Sequence, residues 1–349
     1  MRLTLSLLRG RTGALVMATM IGAIIVAAGS LSAGTQLTGA GSTFDYPFFS
    51  RAFYDYSQQH DGVTVNYQSI GSGGGIQQFI AKTIDFGASD VPMNADELSH
   101  AGAPVLQIPV TLGGAAIAYN LAGIPSGLKL TRDSIAEIFL GNIVNWKDPA
   151  IQKLNPGLKL PDLPIVVVHR SDGSGTSYIF TDFLSAVSPK WKQKVGVGKS
   201  VQWPVGIGGK GNEGVAGLVG QTPGAIGYIE LAYVLQNQIT YALVENKAGA
   251  YVYPALATVK AAAASKPNVS ATDFSIVDAA GADSYAISGY SWVMLYQNPS
   301  DPGRAAVIKA LMNWLVTKGQ ATAEAVQYVP LPENVQQHAV QVLAQMKTG

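Results

Sequence analysis

The chain has 349 residues, of which 48% are hydrophobic and 13% charged, and its formal net charge is +1. At roughly 100–200 residues per domain, this length predicts two domains. The balanced charge gives no support to nucleic-acid binding, for which a basic excess is typical, and the high apolar content argues against a disordered chain. The chain contains no cysteine, which excludes disulfides, thiol nucleophiles, cysteine zinc sites and lipid attachment through cysteine.

Residues 1–33 have the pattern of a secretory signal. Three arginines precede an apolar run at 14–28, and small residues follow it, so we predict cleavage after Ala33. A retained membrane anchor is the alternative, but the run is short for a span of about 20 residues and is interrupted by Gly22. Cleavage would leave 20 basic and 22 acidic side chains, a net charge of −2, so we expect an exported, soluble and slightly acidic protein.

The rest of the chain alternates short strands with amphipathic helices, which predicts an α/β fold. In chain order we predict helix 43–59, strand 63–67, helix 74–82, strands 85–89, 105–119 and 165–168, helices 177–187 and 213–219, strands 225–228 and 291–296, and helices 304–318 and 335–347. Residues 157–164 and 261–270 are predicted loops, and neither has the composition of a clean linker. The chain is therefore expected to cross more than once between two lobes.

Three glycine- and serine-rich turns share one design, because each precedes a predicted helix. They are Gly39–Phe44, Ile70–Gly75 and Arg170–Thr176. A helix N-terminus has N–H groups without intrahelical partners and a partial positive charge, glycine lets a ligand approach the backbone, and hydroxyls add donors. Such a turn can bind an anion. A plain helix cap is the alternative for any one turn, whereas three together favour a shared oxyanion site.

Several catalytic and nucleotide motifs fail in this sequence. Gly198-Lys199-Ser200 matches the end of a P-loop, but Gln193 stands where the first glycine is required. Ser174 lacks the GxSxG context, since Asp172 stands two residues before it. The four histidines are scattered without an HExxH motif, and His169, which follows a predicted strand, is interpreted as structural. We therefore predict no catalytic residues, metal site or cofactor.

Charged residues adjoin the turns. Arg170 offers the planar donor fork that suits an oxyanion, and Asp172 could pair with it and orient it, or simply cap the following helix. Asp90 follows the predicted strand 85–89. A carboxylate near an anion is favourable only if the anion carries a proton to donate, so Asp90 would accept phosphate and reject fully ionised sulfate. A surface or capping role for Asp90 is the alternative.

Taken together, these segments resemble the phosphate-binding subunit of bacterial phosphate-specific ABC importers. The matching segments are LTGAGSTF (37–44), NYQSIGSGGGIQQF (66–79), DFGASDVPM (85–93), FLGNIVNW (139–146), LNPGLKLP (154–161), RSDGSGTSYIFTDFL (170–184), GIGGKGNEGVAGLV (206–219) and PGAIGYIE (223–230). The resemblance covers nearly the whole mature chain. It implies a two-lobed periplasmic binding protein of type II, with crossing hinge segments, that holds dehydrated phosphate in the cleft between the lobes.

The resemblance also implies the ligands of the phosphate. They are the Thr43 hydroxyl, the Phe44 N–H, Ser72, Asp90 as proton acceptor, Arg170 held by Asp172, and Ser174, the Gly175 N–H and Thr176. One departure is visible in the second turn, where relatives often have two serines and this chain has Gly73. That change removes a hydroxyl but leaves an N–H.

Lobe boundaries and partners follow from the same resemblance. One lobe would comprise residues 34–109 and 288–349, and the other residues 110–287. We expect a monomeric binder, not an enzyme, whose partners are inorganic phosphate and the membrane permease of the importer. A secreted phosphatase and a binder of sulfate or molybdate are the alternatives; the first needs a nucleophile or metal set that the sequence does not offer, and Asp90 argues against the second.

Overall fold

The structure is a computed structural model that describes residues 34–349, so the predicted signal sequence lies outside the described residues. Its strands are β1 Thr35–Gly41, β2 Val63–Ser69, β3 Phe86–Ser89, β4 Val105–Tyr119, β5 Lys129–Leu130, β6 Val166–Arg170, β7 Ile207–Gly209, β8 Ala225–Glu230, β9 Thr240–Tyr241, β10 Leu243–Glu245, β11 Tyr251–Val252 and β12 Ser288–Tyr296. Its α-helices are α1 Tyr46–Gln59, α2 Ser72–Ile80, α3 Ala95–His100, α4 Arg132–Phe139, α5 Pro149–Gln152, α6 Gly175–Val187, α7 Pro189–Lys194, α8 Gly211–Gln221, α9 Leu231–Gln236, α10 Leu256–Ala264, α11 Pro302–Val316 and α12 Glu333–Ala344. Short 3₁₀ helices occupy Lys318–Thr322 and Glu324–Val326. The predicted α/β class is confirmed.

A large mixed sheet runs in the order β2-β1-β3-β12-β4-β8-β6-β7, with β9 also paired to β4. Strand β4 covers the predicted 105–119 and joins the two halves of this sheet, since it pairs antiparallel with β12 up to Gly114 and with β8 from Ala115 onward. A separate small sheet contains β5, β10 and β11.

The parallel strands explain where a site can form. In one half β1 pairs in parallel with β2 and β3, and in the other β6 pairs in parallel with β7 and β8. Ligands of open α/β sheets bind beyond the carboxyl ends of such strands. The residues that follow β1, β2, β3 and β6 are those of the three glycine-serine turns and Asp90.

Helix α1 confirms the apolar face expected from its spacing. Its five predicted core residues are all buried, namely Phe48, Phe49, Ala52, Phe53 and Tyr56. The Phe49 and Phe53 rings stack with centroids 4.9 Å apart, and Phe53 meets Phe86 of β3 edge to face at 5.7 Å. Burying each such ring stabilises the fold by roughly 1.5–3 kcal/mol, so this face fixes α1, and the turn before it, against the sheet.

Other elements differ from the sequence predictions. The loop predicted at 261–270 is wrong over its first four residues, because α10 extends to Ala264; alanine has the highest helix propensity, and Val259 and Ala263 of this helix are buried. Strand β6 extends to Arg170, which was assigned to the following turn. Within residues 34–349, no helix combines the length and apolar character needed to cross a membrane.

Candidate functional site

The three glycine-serine turns meet in the folded chain. Ser72, the first residue of α2, has an Oγ that accepts hydrogen bonds from the Gly175 N–H at 3.0 Å and the Asp90 N–H at 3.3 Å. The Gly73 N–H donates to the Gly173 carbonyl at 2.8 Å. Segments more than 100 positions apart in sequence are therefore joined directly through the second and third turns.

Glycine is required where these segments approach each other. Gly41 has φ +144°, and a Cβ there would lie 2.0 Å from the Ala88 carbonyl oxygen. A Cβ on Gly175 would lie 2.6 Å from the backbone nitrogen and the Oδ2 atom of Asp90. Because real Cβ atoms do not come this close to other atoms, both glycines are needed for the observed backbone contacts.

Arg170 and Asp172 form the ion pair that the sequence suggested, with Arg170 buried and Asp172 half-buried. The Arg170 side chain is 1% exposed, and its Nε and Nη2 donate to the two Asp172 oxygens at 2.7 and 2.5 Å. Asp172 Oδ1 also accepts the Gly211 N–H at 3.1 Å, and the residue that caps α6 is Ser174, so the alternative that Asp172 caps α6 is wrong. Burial works against its charge, but hydrogen bonds and the Arg170 charge prevail, and the pKa of Asp172 lies below its usual value.

Asp90 lies buried where the turns meet. Its Oδ1 accepts hydrogen bonds from the hydroxyls of Ser42 and, at 3.0 Å, Ser291, while Oδ2 lies 3.5 Å from Thr176 Oγ1. The surface alternative for Asp90 is therefore wrong, as the residue is 2% exposed. Burial raises the pKa of Asp90 to about 6, against the opposing effect of these hydroxyls and of Arg170.

The remaining predicted site residues are also buried in this region, but two of them have local partners. The Phe44 N–H donates to Ser42 Oγ at 2.9 Å, and Ser174 Oγ accepts the Ser177 N–H at 3.0 Å, which caps α6. The cap alternative thus describes Ser174, although its hydroxyl proton is still available for donation. Thr176 Oγ1 lies 3.4 Å from Arg170 Nη1, within reach of the guanidinium.

Asn212 was missed by the sequence reasoning. It lies in the first turn of α8, fully buried, and its side-chain amide donates to Thr43 Oγ1 at 2.9 Å and to Thr176 Oγ1 at 3.1 Å. Its backbone N–H donates to Thr43 Oγ1 at 3.1 Å. Since Thr43 Oγ1 accepts two hydrogen bonds, its own proton is directed elsewhere, as an anion site needs.

A signal for Asn212 was present in the sequence. The segment GIGGKGNEGVAGLV was used as part of the family resemblance, and no residue of it was assigned to the site. It is in fact a fourth glycine-rich turn that leads from a strand, β7, into a helix, α8. A criterion that required only glycines before a predicted helix would have selected this turn, although it contains no serine.

His169 has the structural environment expected of it. Its ring stacks on Trp203 with centroids 4.9 Å apart, and Nδ1 lies 3.0 Å from the Arg170 carbonyl oxygen. Through these two contacts the His169 ring holds the end of β6 in place.

The chemistry of the assembled residues is that of a dehydrated oxyanion site. Arg170 is a buried cation, Thr43, Ser72 and Thr176 carry hydroxyls, and Asp90 offers an acceptor. Polar groups that are held in fixed positions and shielded from water select a ligand whose donors and acceptors pair with their own. A ligand that leaves one of them unpaired binds weakly, because an unpaired buried polar group costs free energy. The set therefore suits a tetrahedral anion that still carries a proton.

Comparisons with known proteins agree with this chemistry. Residues 26–318 match the profile of the PBP superfamily domain. The phosphate-binding protein PstS of Pasteurella multocida is 46% identical over 333 residues, which cover 94% of this chain and 95% of that protein. A phosphate-binding protein from Stenotrophomonas maltophilia superimposes with TM-score 0.67 at 20% identity, covering 88% of this chain and 93% of that one.

An ABC-type phosphate transport receptor from Vibrio cholerae superimposes with TM-score 0.55 at 20% identity, covering 85% of this chain and 100% of that one. At these identities the structural matches establish the fold alone. They confirm the predicted two-lobed binding-protein fold.

Proposed function

Because this chain belongs to the PBP superfamily and, within it, to the PstS family of phosphate-binding proteins, we propose that it binds inorganic phosphate and delivers it to a membrane ABC importer. The observation that carries this function is the pairing of one buried cation with one buried acceptor. Arg170 supplies positive charge to the anion, and Asp90 accepts a proton that phosphate retains at neutral pH and sulfate does not.

The proposed phosphate ligands are the set named from the resemblance: Thr43, Phe44, Ser72, Asp90, Arg170, Asp172, Ser174, Gly175 and Thr176. All of these residues except the half-buried Asp172 are buried, and this burial, with the hydrogen bonds that bring three turns together around Asp90, supports the set. Asp172 acts through Arg170, whose fork it holds by two hydrogen bonds. We add Asn212 as the group that directs the Thr43 and Thr176 hydroxyls.

The lobes of the proposed binding protein are residues 34–109 with 288–349, and residues 110–287. The exchange of β4 partners at Gly114 and Ala115 supports a division near these boundaries. The first two turns and Asp90 then belong to one lobe, and Arg170 with the third turn to the other. Phosphate would contact both, so its binding would stabilise the closed arrangement by that differential contact.

We also propose the setting in which this binding takes place. The mature chain would act in the periplasm after removal of residues 1–33, as a monomer, with the permease of the importer as its partner. The predicted signal pattern of residues 1–33 supports export, and the resemblance of the sequence to the phosphate-binding subunit of ABC importers supports the importer. The role is capture and delivery, without catalysis.

Isothermal titration calorimetry of residues 34–349, purified free of bound phosphate, tests the function. We expect one phosphate per chain and no measurable heat with equimolar sulfate. Tight sulfate binding, or no phosphate binding, would contradict the proposal. Turnover of a chromogenic phosphate ester that is lost on chelation would favour the phosphatase alternative, and light scattering of the same sample reports the oligomeric state.

Gly175→Ala tests the close approach between α6 and Asp90. The added methyl group would lie 2.6 Å from Asp90 atoms, so the start of α6 has to move away, and we expect phosphate affinity to fall at least about tenfold. Gly217→Ala on α8 is the matched control, because a Cβ there meets no atom within 4 Å. This control should keep its affinity and gain about 0.4–1 kcal/mol of stability. Equal calorimetric affinities for the two variants would contradict the packing argument.

A further inference from the structure

Asp45 is a buried carboxyl that the proposed phosphate contacts do not use. It directly precedes α1, yet its side chain makes no capping hydrogen bond to that helix. It is fully buried. None of the ion pairs among residues 34–349 includes it. A buried carboxylate without a cation is costly, so this side chain needs a physical explanation.

The hydroxyl of Ser291 links Asp45 to Asp90. Ser291 Oγ lies 2.6 Å from Asp45 Oδ2 and 3.0 Å from Asp90 Oδ1. A serine hydroxyl has one proton, so it can donate fully to only one of two carboxylates. The other contact is favourable only if that carboxyl carries a proton and donates it to Ser291 Oγ.

The hydroxyl of Tyr67, on the other side of Asp45, also has one proton and two neighbouring oxygen atoms. It lies 2.8 Å from the Ser42 carbonyl oxygen and 3.2 Å from Asp45 Oδ1. The Ser42 carbonyl oxygen can only accept a hydrogen bond, and it is the nearer of the two oxygens. The Tyr67 hydroxyl therefore donates its one proton to this carbonyl oxygen. The Asp45 Oδ1 contact is then left without a proton, and it costs less if Asp45 is neutral, because the carbonyl oxygen of a protonated carboxyl repels the phenol oxygen less than a carboxylate oxygen does.

Of the two linked carboxyls, Asp45 has the surroundings that favour a proton. Asp90 is stabilised as an anion by hydroxyl donors and by the charge of Arg170, whereas Asp45 has no cation. Burial, followed by the charge of Asp90, raises the pKa of Asp45 well above its usual value. The other titratable groups that act on this region are the carboxyl of Glu230, which interacts with the charge of Asp90, and the phenols of Tyr67, Tyr233 and Tyr328, and burial raises the pKa of each.

We propose that Asp45 is a positioning residue that stays protonated at neutral pH and, by donating to Ser291 Oγ, directs the Ser291 hydroxyl at Asp90 Oδ1. With Ser42 donating to the same oxygen, Oδ1 is then fully occupied. Oδ2 remains as the acceptor for the ligand proton. This inference rests on the proposed function only in its last step, the effect on phosphate.

The protonation state can be measured without any ligand. In ¹³C NMR of protein labelled at aspartate carboxyls, with Asp45 assigned from Asp45→Asn, we expect the chemical shift of a neutral carboxyl at pH 7. A shift typical of an ionised carboxyl at pH 7 would overturn the proposal. Asp61→Asn is the control, because Asp61 is exposed in the loop after α1.

Stability gives a second readout on the phosphate-free protein. A carboxyl whose pKa is raised by folding costs stability as pH rises from its unfolded pKa, about 3.9, to its folded pKa. Asparagine donates without titrating. The thermal midpoint of Asp45→Asn should therefore rise relative to that of the original protein between pH 4 and pH 8. If the difference in thermal midpoint between Asp45→Asn and the original protein does not change with pH, a raised pKa of Asp45 is contradicted. Asp61→Asn is the control, whose midpoint should follow that of the original protein over the same pH range.

Phosphate affinity then tests the route through Ser291. At pH 7 we expect Asp45→Asn to bind phosphate within about threefold of the original protein, since its amide still donates to Ser291, and Asp45→Ala to bind at least about tenfold more weakly. The double variant Asp45→Ala/Ser291→Ala should bind no more weakly than Ser291→Ala alone. Additive losses, or an unaffected Asp45→Ala, would overturn the positioning role. If the original protein bound no phosphate, the proposed function would fail while the NMR and stability results would still decide the protonation of Asp45.

Discussion

Arg170→Ala will weaken phosphate binding at least about thirtyfold. Removing one partner of a buried, hydrogen-bonded charge pair costs about 2–5 kcal/mol, and each 1.4 kcal/mol is a tenfold change in Kd. Arg170 is buried, and its guanidinium is the cation that lowers the pKa of Asp90. Its loss also leaves Asp172 as an unpaired negative charge beside the anion. Calorimetric titration with phosphate at pH 7 measures the effect.

Two further variants separate charge from geometry at this position. Arg170→Ala/Asp172→Asn removes the unpaired carboxylate, so it should recover part of the lost affinity if repulsion by Asp172 contributes. Arg170→Lys keeps the charge but cannot bind both Asp172 oxygens in the bidentate manner. We expect its affinity to lie between those of the alanine variant and the original protein.

Arg304→Ala is the matched control for Arg170. Arg304 also binds both oxygens of an aspartate, Asp85, with Nη2 to Oδ2 at 2.6 Å. Asp85 precedes β3 and Asp90 follows it, so the control pair lies at the opposite end of that strand. Its loss should lower thermal stability and leave the phosphate Kd within about twofold. An unchanged Kd for Arg170→Ala would remove this residue from the site.

Local patterns were sufficient to predict the main elements and the turns. Strand β4 was found over its full length because residues 105–119 form a long, mostly apolar run despite Pro109 and the pair Gly113–Gly114, and α1 because its aromatic residues recur at helical spacing. The turns around Ser72 and Gly175 were recognisable because glycine and serine cluster at the point where a strand leads into a helix. In each case the determining residues are neighbours in sequence.

The features that were missed depend on contacts distant in sequence. Asn212 gains its role from Thr43, which is 169 positions away, and Asp45 gains its role from Ser291, which is 246 positions away. Before folding, Asp45 looks like an ordinary residue before a helix. Strands β5, β9 and β11 have two residues each and exist only through their partners. Periodicity over such short segments carries no information.

Asp90→Asn will reduce the preference for phosphate over sulfate at least about thirtyfold. The introduced side-chain amide can donate to a fully ionised oxyanion, and the substitution removes a buried negative charge, so sulfate binding should strengthen while phosphate loses its proton acceptor. Competition calorimetry with both anions at pH 7 gives the ratio. Asp96→Asn, an exposed acidic position on α3, is the control and should keep the original ratio. An unaltered ratio in Asp90→Asn would show that Asp90 does not select by accepting a proton.

The pH dependence of sulfate binding tests the same idea in the original protein. Burial sets the pKa of Asp90 at about 6, so its carboxyl is ionised at pH 8 and mostly protonated at pH 5. Because only the protonated form can donate to sulfate, apparent sulfate affinity should rise roughly tenfold for each pH unit of acidification above the pKa, and level off below it. Asp90→Asn cannot titrate at this position, so its sulfate affinity should be nearly constant over the same range. If sulfate affinity rose equally in the original protein and in Asp90→Asn, a group other than Asp90 would be responsible for the pH dependence.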